Sequence, residues 1–495
     1  MSRLGFIRQG NRHQTRLLHL CGRAALSPIA LALFLIGCAA GGSTDAGKDN
    51  HVAVLSGAGL SDTIQAPLPQ PLVVEAFENG QPRAGIVVQF AALPSTQPVR
   101  SPEKTALFSR AAGGPYSSEH ADSTDAEGHV TVFVALGTVA GDVRIAVTVP
   151  SLGVSDTARY VVRPGAPASI AITVRDTALL ANAQYKIGAT VLDRMKNARP
   201  ETPTFTSLSA LGSVDAAGNV QLSTTIGRGV VAVRAGAISD TAAFVVVPPD
   251  LIVTAQNGTN IAVRLDGSSR RVWQPGQGAY LGSVLSPSGD LLAYSAPVNG
   301  ISSSVFVLGR DGTSRRIAPA NMEYANGQRF SRDGQWVYFS TSAEIWRVRI
   351  DGSQPEKLFG GPSGVGVNFR DAAPSPGANL IVYFDDVPKE LFIHDRTTGQ
   401  SRKLGVPLAL SPVFSPDGTR IAYNDVGRIG MVNVDGTGAV LFGCPSTSCN
   451  GVGWTKDGQW LLTQSATQFA MTNVSTRGWI TIPGLWGSYG IRVQE

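Results

Sequence analysis

The amino-acid sequence predicts an all-β chain in which two β-sandwiches precede a six-bladed β-propeller. Three observations carry this expectation. Glycine (56) and proline (30) are abundant among 495 residues, of which 43% are hydrophobic and 16% charged. Such a chain is too apolar for disorder, and its turn-rich vocabulary excludes a coiled coil. All seven tryptophans (273, 336, 346, 454, 460, 479, 486) follow residue 250, whereas residues 51 to 248 are dominated by Val, Ala, Thr and Ser, so a domain boundary falls near Val247-Pro248-Pro249. Beyond it, two turn signatures recur at intervals of 40 to 45 residues, the period of a four-stranded propeller blade.

Residues 1 to 37 read as a signal peptide. Arg3, Arg8, Arg12, Arg16 and Arg23 come first with no acid among them, residues 24 to 37 form an apolar run, and Cys38 follows at once. Fourteen residues are too few to cross a hydrocarbon core of ~30 Å at ~1.5 Å per residue, so the run is a secretory h-region and not a span. Its end, Leu35-Ile36-Gly37-Cys38, resembles the lipobox of bacterial lipoproteins. That resemblance implies lipid attachment through the Cys38 thiol, with Gly37 leaving room for the peptidase, and hence a stable hold on the membrane. Ala39 in place of Asp implies outer-membrane sorting. An ordinary signal cut near Ala39 or Ala40, or an uncleaved anchor, with Cys38 a bystander, is the alternative. Residues 38 to 50 are small and polar, as a flexible tether should be. The formal charge of +5 falls to zero once the five leader arginines are removed, leaving 36 basic against 36 acidic side chains. Charge therefore points to no nucleic-acid partner and to no anionic surface.

Residues 51 to 164 and 165 to 248 form two units. In the first, short alternating runs (Leu72 to Phe77, Ile86 to Phe90, Val130 to Val134, Val143 to Val149) are parted by Gly, Pro and Asp clusters. Asp125-Ala126-Glu127-Gly128 recurs 90 residues later as Asp215-Ala216-Ala217-Gly218, and Ser155-Asp156-Thr157-Ala158 recurs 84 residues later as Ser239-Asp240-Thr241-Ala242. Units of this size suit an immunoglobulin-like sandwich. Through Ala66 to Val74, Gly80 to Phe90 and Val130 to Val132, the first unit resembles the bacterial immunoglobulin-like repeats of invasin and intimin. The second resembles the other common bacterial type through Val214 to Val220 and Gly229 to Val233. Neither holds a cysteine pair. Residues 94 to 124 are a longer connection than that repeat type carries, with Arg100, Lys104, Arg110 and His120. An extra hairpin around Thr105 to Arg110 with a solvated loop is expected there, a binding loop being the alternative.

Residues 249 to 495 carry the propeller. One signature is a turn followed by an aromatic β run: Ser286-Pro287-Ser288-Gly289, Ser331-Arg332-Asp333-Gly334, Ser375-Pro376-Gly377, Ser415-Pro416-Asp417-Gly418 and Thr455-Lys456-Asp457-Gly458, with glycines 45, 43, 41 and 40 residues apart. The other is a hairpin turn at Asp266-Gly267, Asp311-Gly312, Asp351-Gly352, Thr398-Gly399, Asp435-Gly436 and Arg477-Gly478; Asp and Gly both tolerate positive φ. Six such turns imply six blades. The repeats resemble the propeller of TolB and its relatives. Residues 251 to 273 supply three strands and lack an inner one, so the strand-like Tyr489 to Val493 is expected to complete that blade and close the ring.

The chemistry is sparse. Cys444 and Cys449 bracket a Pro/Ser/Thr loop, which in an exported protein reads as a structural disulfide; a redox or metal role is the alternative, on poor metal spacing. Beyond the leader only His51, His120, His129 and His394 are available, and Gly361-Pro362-Ser363-Gly364 does not match a nucleophile elbow. His394-Asp395 reads as a strand end, Asp385-Asp386 as solvated acids with a calcium site as the alternative. No catalytic residue, metal ligand or cofactor is expected. The function expected is binding, to an envelope protein or glycan through a propeller face, by a lipid-anchored envelope protein; an adhesin using the sandwiches and a channel enzyme (lyase or glycan hydrolase) are the rivals.

Overall fold

The computed structural model describes residues 49–93, 105–256, 259–273, 282–298, 302–322, 324–360, 369–444, 449–465, 468–485 and 489–493. The lipid-attachment residue Cys38 lies outside them, as do Arg100, Lys104 and the Gly361–Gly364 segment. Every regular element among the described residues is a β-strand.

In the first unit one sheet runs His51–Ser56, Leu72–Glu78, His129–Leu136, Ala106–Ser109, and the other runs Ser61–Thr63, Val154–Arg163, Gly141–Val149, Val87–Ala92, Glu119–Ser123. Strands such as Leu72–Glu78 alternate buried and half-buried residues, and the inward set from both sheets, including Val74, Phe90, Val132, Ile145 and Tyr160, packs into one core. A short hairpin forms around the expected segment, Phe108 and Ser117 exchanging both backbone hydrogen bonds at 2.7 and 2.8 Å, but its continuation separates. Residues 106–109 extend one sheet beside His129–Leu136, while 119–123 extend the other beside Val87–Ala92, because Phe108 is drawn into the core on one side. The segment thus bridges the two sheets.

The second unit repeats the plan. Thr177–Leu180 pairs in parallel with the long strand Ile238–Val247, as Ser61–Thr63 does with Val154–Arg163. The duplicated acidic turns are the same device twice: Asp125 Oδ1 accepts the N–H groups of Glu127 and His129, and Asp215 Oδ1 those of Ala217 and Asn219. Gly128 and Gly218, at φ 79° and 82°, complete them. Between the units, buried Asn197 donates to Thr138 O (2.8 Å) and accepts from Ala140 N–H (3.0 Å), while Asp193 accepts from Gly165 N–H in the connection. Burial pushes the Asp193 carboxyl up, but its bonds from Asn197, Gly165 and Met195 outweigh that and hold it below its ordinary value.

Beyond residue 250 lie six four-stranded sheets among the described residues. Five are built from consecutive strands, inner to outer. The first blade is composite: Leu251–Gln256, Thr259–Arg264 and Arg271–Trp273 are completed on the inside by Tyr489–Val493, which pairs with Leu251–Gln256. The inner strands neighbour one another in a closed cycle. Apolar clusters fill every gap between blades: first and second around Trp273 and Tyr294, second and third around Phe330 and Phe339, third and fourth around Tyr338 and Tyr383. The fourth and fifth meet around Phe384 and Tyr423, the fifth and sixth around Trp454, the sixth and first around Phe469 and Ile252. The arrangement is a closed six-bladed propeller. Its last cluster also takes in Ala178, Val245 and Val247 of the second unit, so that unit shares a core with the propeller.

One turn departs from its expected register. In the fourth blade the positive-φ position belongs to Ala378 (φ 56°) and not to Gly377, so the turn residues run 289, 334, 378, 418 and 458. Gly377 stands where the other turns place Ser288, Asp333, Asp417 or Asp457.

Candidate functional site

The turn that joins each inner strand to the second strand of its blade is a self-contained unit. Its first residue, Ser286, Ser331, Ser375, Ser415 or Thr455, is buried, and its hydroxyl oxygen accepts the N–H five residues on at 3.0 to 3.1 Å. Where the third is Asp (333, 417, 457), its carboxylate accepts a hydrogen bond from that hydroxyl. The fourth takes positive φ and closes the turn. The third position is exposed in every copy, whereas the second lines the channel mouth, and in the five blades where the turn is present those second residues are Pro287, Arg332, Pro376, Pro416 and Lys456. They ring one end of the channel. Pro287, Pro376 and Pro416 each sit against the turn glycine of the next blade, Gly334, Gly418 and Gly458 respectively, closely enough that a Cβ there would touch the proline ring.

Inside this ring is a cavity of about 360 Å³, within the size range of ligand pockets. Val284, Phe330, Pro374, Val413, Phe414, Val452 and Trp454 wall it. Trp454 is fixed by its Nε1–H bond to Val413 O (3.2 Å) and by the Arg420 guanidinium 5.0 Å above its ring. The polar contribution is cationic. Buried Arg329 is at the lining, its Nη1 donating to Gln328 O (3.0 Å); Arg332 reaches from the third blade to donate to Pro416 O (3.2 Å) on the fifth; and Lys456 is exposed at the rim. The lining residues include no carboxylate, imidazole or thiol. Behind Lys456 lies Asp250, buried in the connection from the second unit. It accepts the Lys456 backbone N–H, its Oδ2 has no hydrogen-bond partner, and burial pushes its carboxyl up to about 6.

Residues singled out from sequence lie elsewhere. Cys444 and Cys449 are joined, Cα atoms 6.0 Å apart, immediately before the inner strand of the sixth blade, and so at the end of the channel away from the ring. Cys449 N–H donates to Gly427 O of the fifth blade (2.8 Å). Asp385 and Asp386 are at that same far end; Asp385 accepts the Val387 N–H and Asp386 pairs with Arg370 at 2.9 Å. His394 is buried against Phe359, ring centroids 4.0 Å apart, and bonded to Ser401; burial pushes its pKa down. His51 stacks on Phe77, and Arg110 pairs with Asp122. None of these touches the cavity. No sequence signal sets position two apart, because position three varies in charge as well (Ser288, Asp333, Gly377, Asp417, Asp457), and only the closed ring brings the second residues together.

No protein-family model matches the chain. The uncharacterised protein Atu1656 of Agrobacterium fabrum (strain C58) is 34% identical over 115 residues, a match covering 20% of this chain. The chain spans 39% of the length of that relative. Among solved structures, it is similar to a chain of a nidogen–laminin complex (14% identity, TM-score 0.42, covering 50% of this chain and 98% of that one). TolB from Acinetobacter baumannii is similar at 13% identity and TM-score 0.41, covering 59% and 82%. An oligogalacturonate lyase in complex with manganese is similar at 14% and 0.34, covering 47% and 72%.

Proposed function

We propose that the protein is an envelope lipoprotein held on the outer membrane through Cys38. Two immunoglobulin-like sandwiches form its stalk, and the propeller is a non-catalytic recognition head for an envelope protein or glycan. The observation that carries the recognition reading is the ringed cavity, whose apolar walls stand beside cations with no carboxylate, imidazole or thiol among the lining residues, a composition suited to holding a ligand. The shared core beneath it supports a stalk that presents the head in a fixed orientation.

The test is an envelope pull-down from the native host with the full chain and with a doubly reversed variant, Arg332→Glu with Lys456→Glu. Partners captured by the first and lost by the second support recognition at the mouth. An unchanged set of partners moves recognition to the sandwiches, the adhesin reading. Metabolic labelling with palmitate tests the anchor: label is expected on the wild-type chain and absent from Cys38→Ser.

A further inference from the structure

The chemistry of the mouth narrows what enters it, and this step rests on the recognition reading above. We infer that the cavity takes a carboxylate carried on an apolar body, the free C-terminus of a polypeptide or a small aliphatic acid. Arg332 spends one of its N–H donors on Pro416 O and keeps the rest of its planar fork for a bidentate acceptor. The Lys456 ammonium has no hydrogen-bond or ion-pair partner among the described residues. These cations share the lining with Phe330, Phe414, Val413, Val452 and Trp454, an apolar, low-dielectric wall that concentrates their field in the recess. No carboxylate lines the cavity; the buried Asp250 behind Lys456 feels its charge from outside the lining.

Size decides between kinds of anion. A cavity of about 360 Å³ equals roughly a dozen waters at ~30 Å³ each; it admits the last residues of an extended chain and excludes a helix or a folded surface. A bare inorganic anion would satisfy the cations and leave the apolar walls wet. A C-terminal residue with an apolar side chain presents carboxylate and hydrocarbon from one Cα, which is the pairing the cavity offers.

Isothermal titration of the full mature chain at low salt tests the inference with four probes: N-acetyl-Ala-Leu-Phe with a free C-terminus, its C-terminal amide, octanoate, and inorganic phosphate. The free acid is expected to bind at least ~10-fold more tightly than the amide, as loss of a charge-assisted contact implies. Lys456→Gln and Arg332→Gln are each expected to weaken the acid several-fold and to flatten its salt dependence; thermal melting checks that these exposed substitutions leave the fold intact. Binding of octanoate without the peptide supports the inference and names the small acid as the source; binding of the peptide acid names a polypeptide end. Equal binding of acid and amide overturns it, as does phosphate binding as tightly as either acid. If no probe binds while the pull-down still shows mouth-dependent partners, the carboxylate inference fails and the recognition reading stands.

Discussion

Asp250 sets a buried charge at the junction between stalk and head. Burial pushes its pKa up to about 6, against partial help from the Lys456 N–H and the Lys456 charge and with a further push from Asp457. A carboxyl raised above its unfolded value stabilises the fold fully at low pH and loses that contribution as pH rises through the folded value, here over the window from about 4 to 6. Ionised Asp250 should therefore lower stability near neutrality by up to about 3 kcal/mol. Asp250→Asn keeps an oxygen acceptor and removes the charge. Urea denaturation is expected to show the variant more stable than wild type near pH 7.5 and without advantage near pH 4; a gain that does not vary with pH would exclude the buried charge as its cause. Ala378 offers a second test at this scale. It occupies a left-handed position (φ 56°) that four sister turns fill with glycine. Relief of that strain, offset by the entropy of an added glycine, is expected to make Ala378→Gly more stable by about 0.5 to 1 kcal/mol.

At the scale of elements, the two turn series were legible because their chemistry is local: a hydroxyl, an acidic side chain and a positive-φ residue within four positions specify a turn whatever surrounds it. A second series was not legible. Four inner strands carry, three residues before their end, a left-handed residue, namely Gly327, Asp371, Ser411 and Gly451, with Gly282 at the equivalent place just ahead of Val284–Leu285, and pairing registers slip beside the four. These are bulges filled by three residue types, so no motif announces them; Asp371 and Ser411 compensate with a side-chain bond, Asp371 Oδ2 accepting the Ser411 N–H at 3.1 Å. That 106–109 and 119–123 extend different sheets was not legible for a related reason, since the path depends on Phe108 reaching a core assembled from distant strands. The turn at Val426-Gly427 (φ 40° and 85°) shows local chemistry overridden: a type I′ hairpin with an exposed β-branched residue where Asn is favoured. Val426→Asn is expected to add about 1 kcal/mol by thermal or chemical melting. The closing strand carries the largest effect. Removing residues 489 to 495 strips Leu251–Gln256 of its inner neighbour and opens the ring, so the melting midpoint should fall far more than trimming a frayed end would lower it; a normal melt would show that the ring is held by the other five gaps alone.

For the whole molecule, composition placed the boundary near Val247-Pro248-Pro249, and the strands do change partners there, but composition could not reveal that Val245 and Val247 cross it energetically. Both are buried in the cluster that also holds Ile252, Ile261, Leu462, Phe469 and Met471. Burying one such valine is worth about 1.5 to 3 kcal/mol, so the second unit and the propeller should unfold as a coupled pair, whereas the first unit meets the second through the polar Asn197 and Asp193 contacts. The distribution of tryptophan makes this measurable, because all seven lie beyond residue 250 and their emission reports the propeller alone. Val247→Ala, a substitution outside the propeller, is expected to lower the midpoint seen by tryptophan emission. Val132→Ala, equally buried but in the first unit's own core, should lower the stability of that unit and leave the tryptophan midpoint where it was. If both variants leave it unmoved, the shared cluster is contact without coupling, and the head is free to unfold from its stalk; if Val247→Ala alone moves it, the stalk's last strand is part of what keeps the ring, and therefore the mouth, in shape.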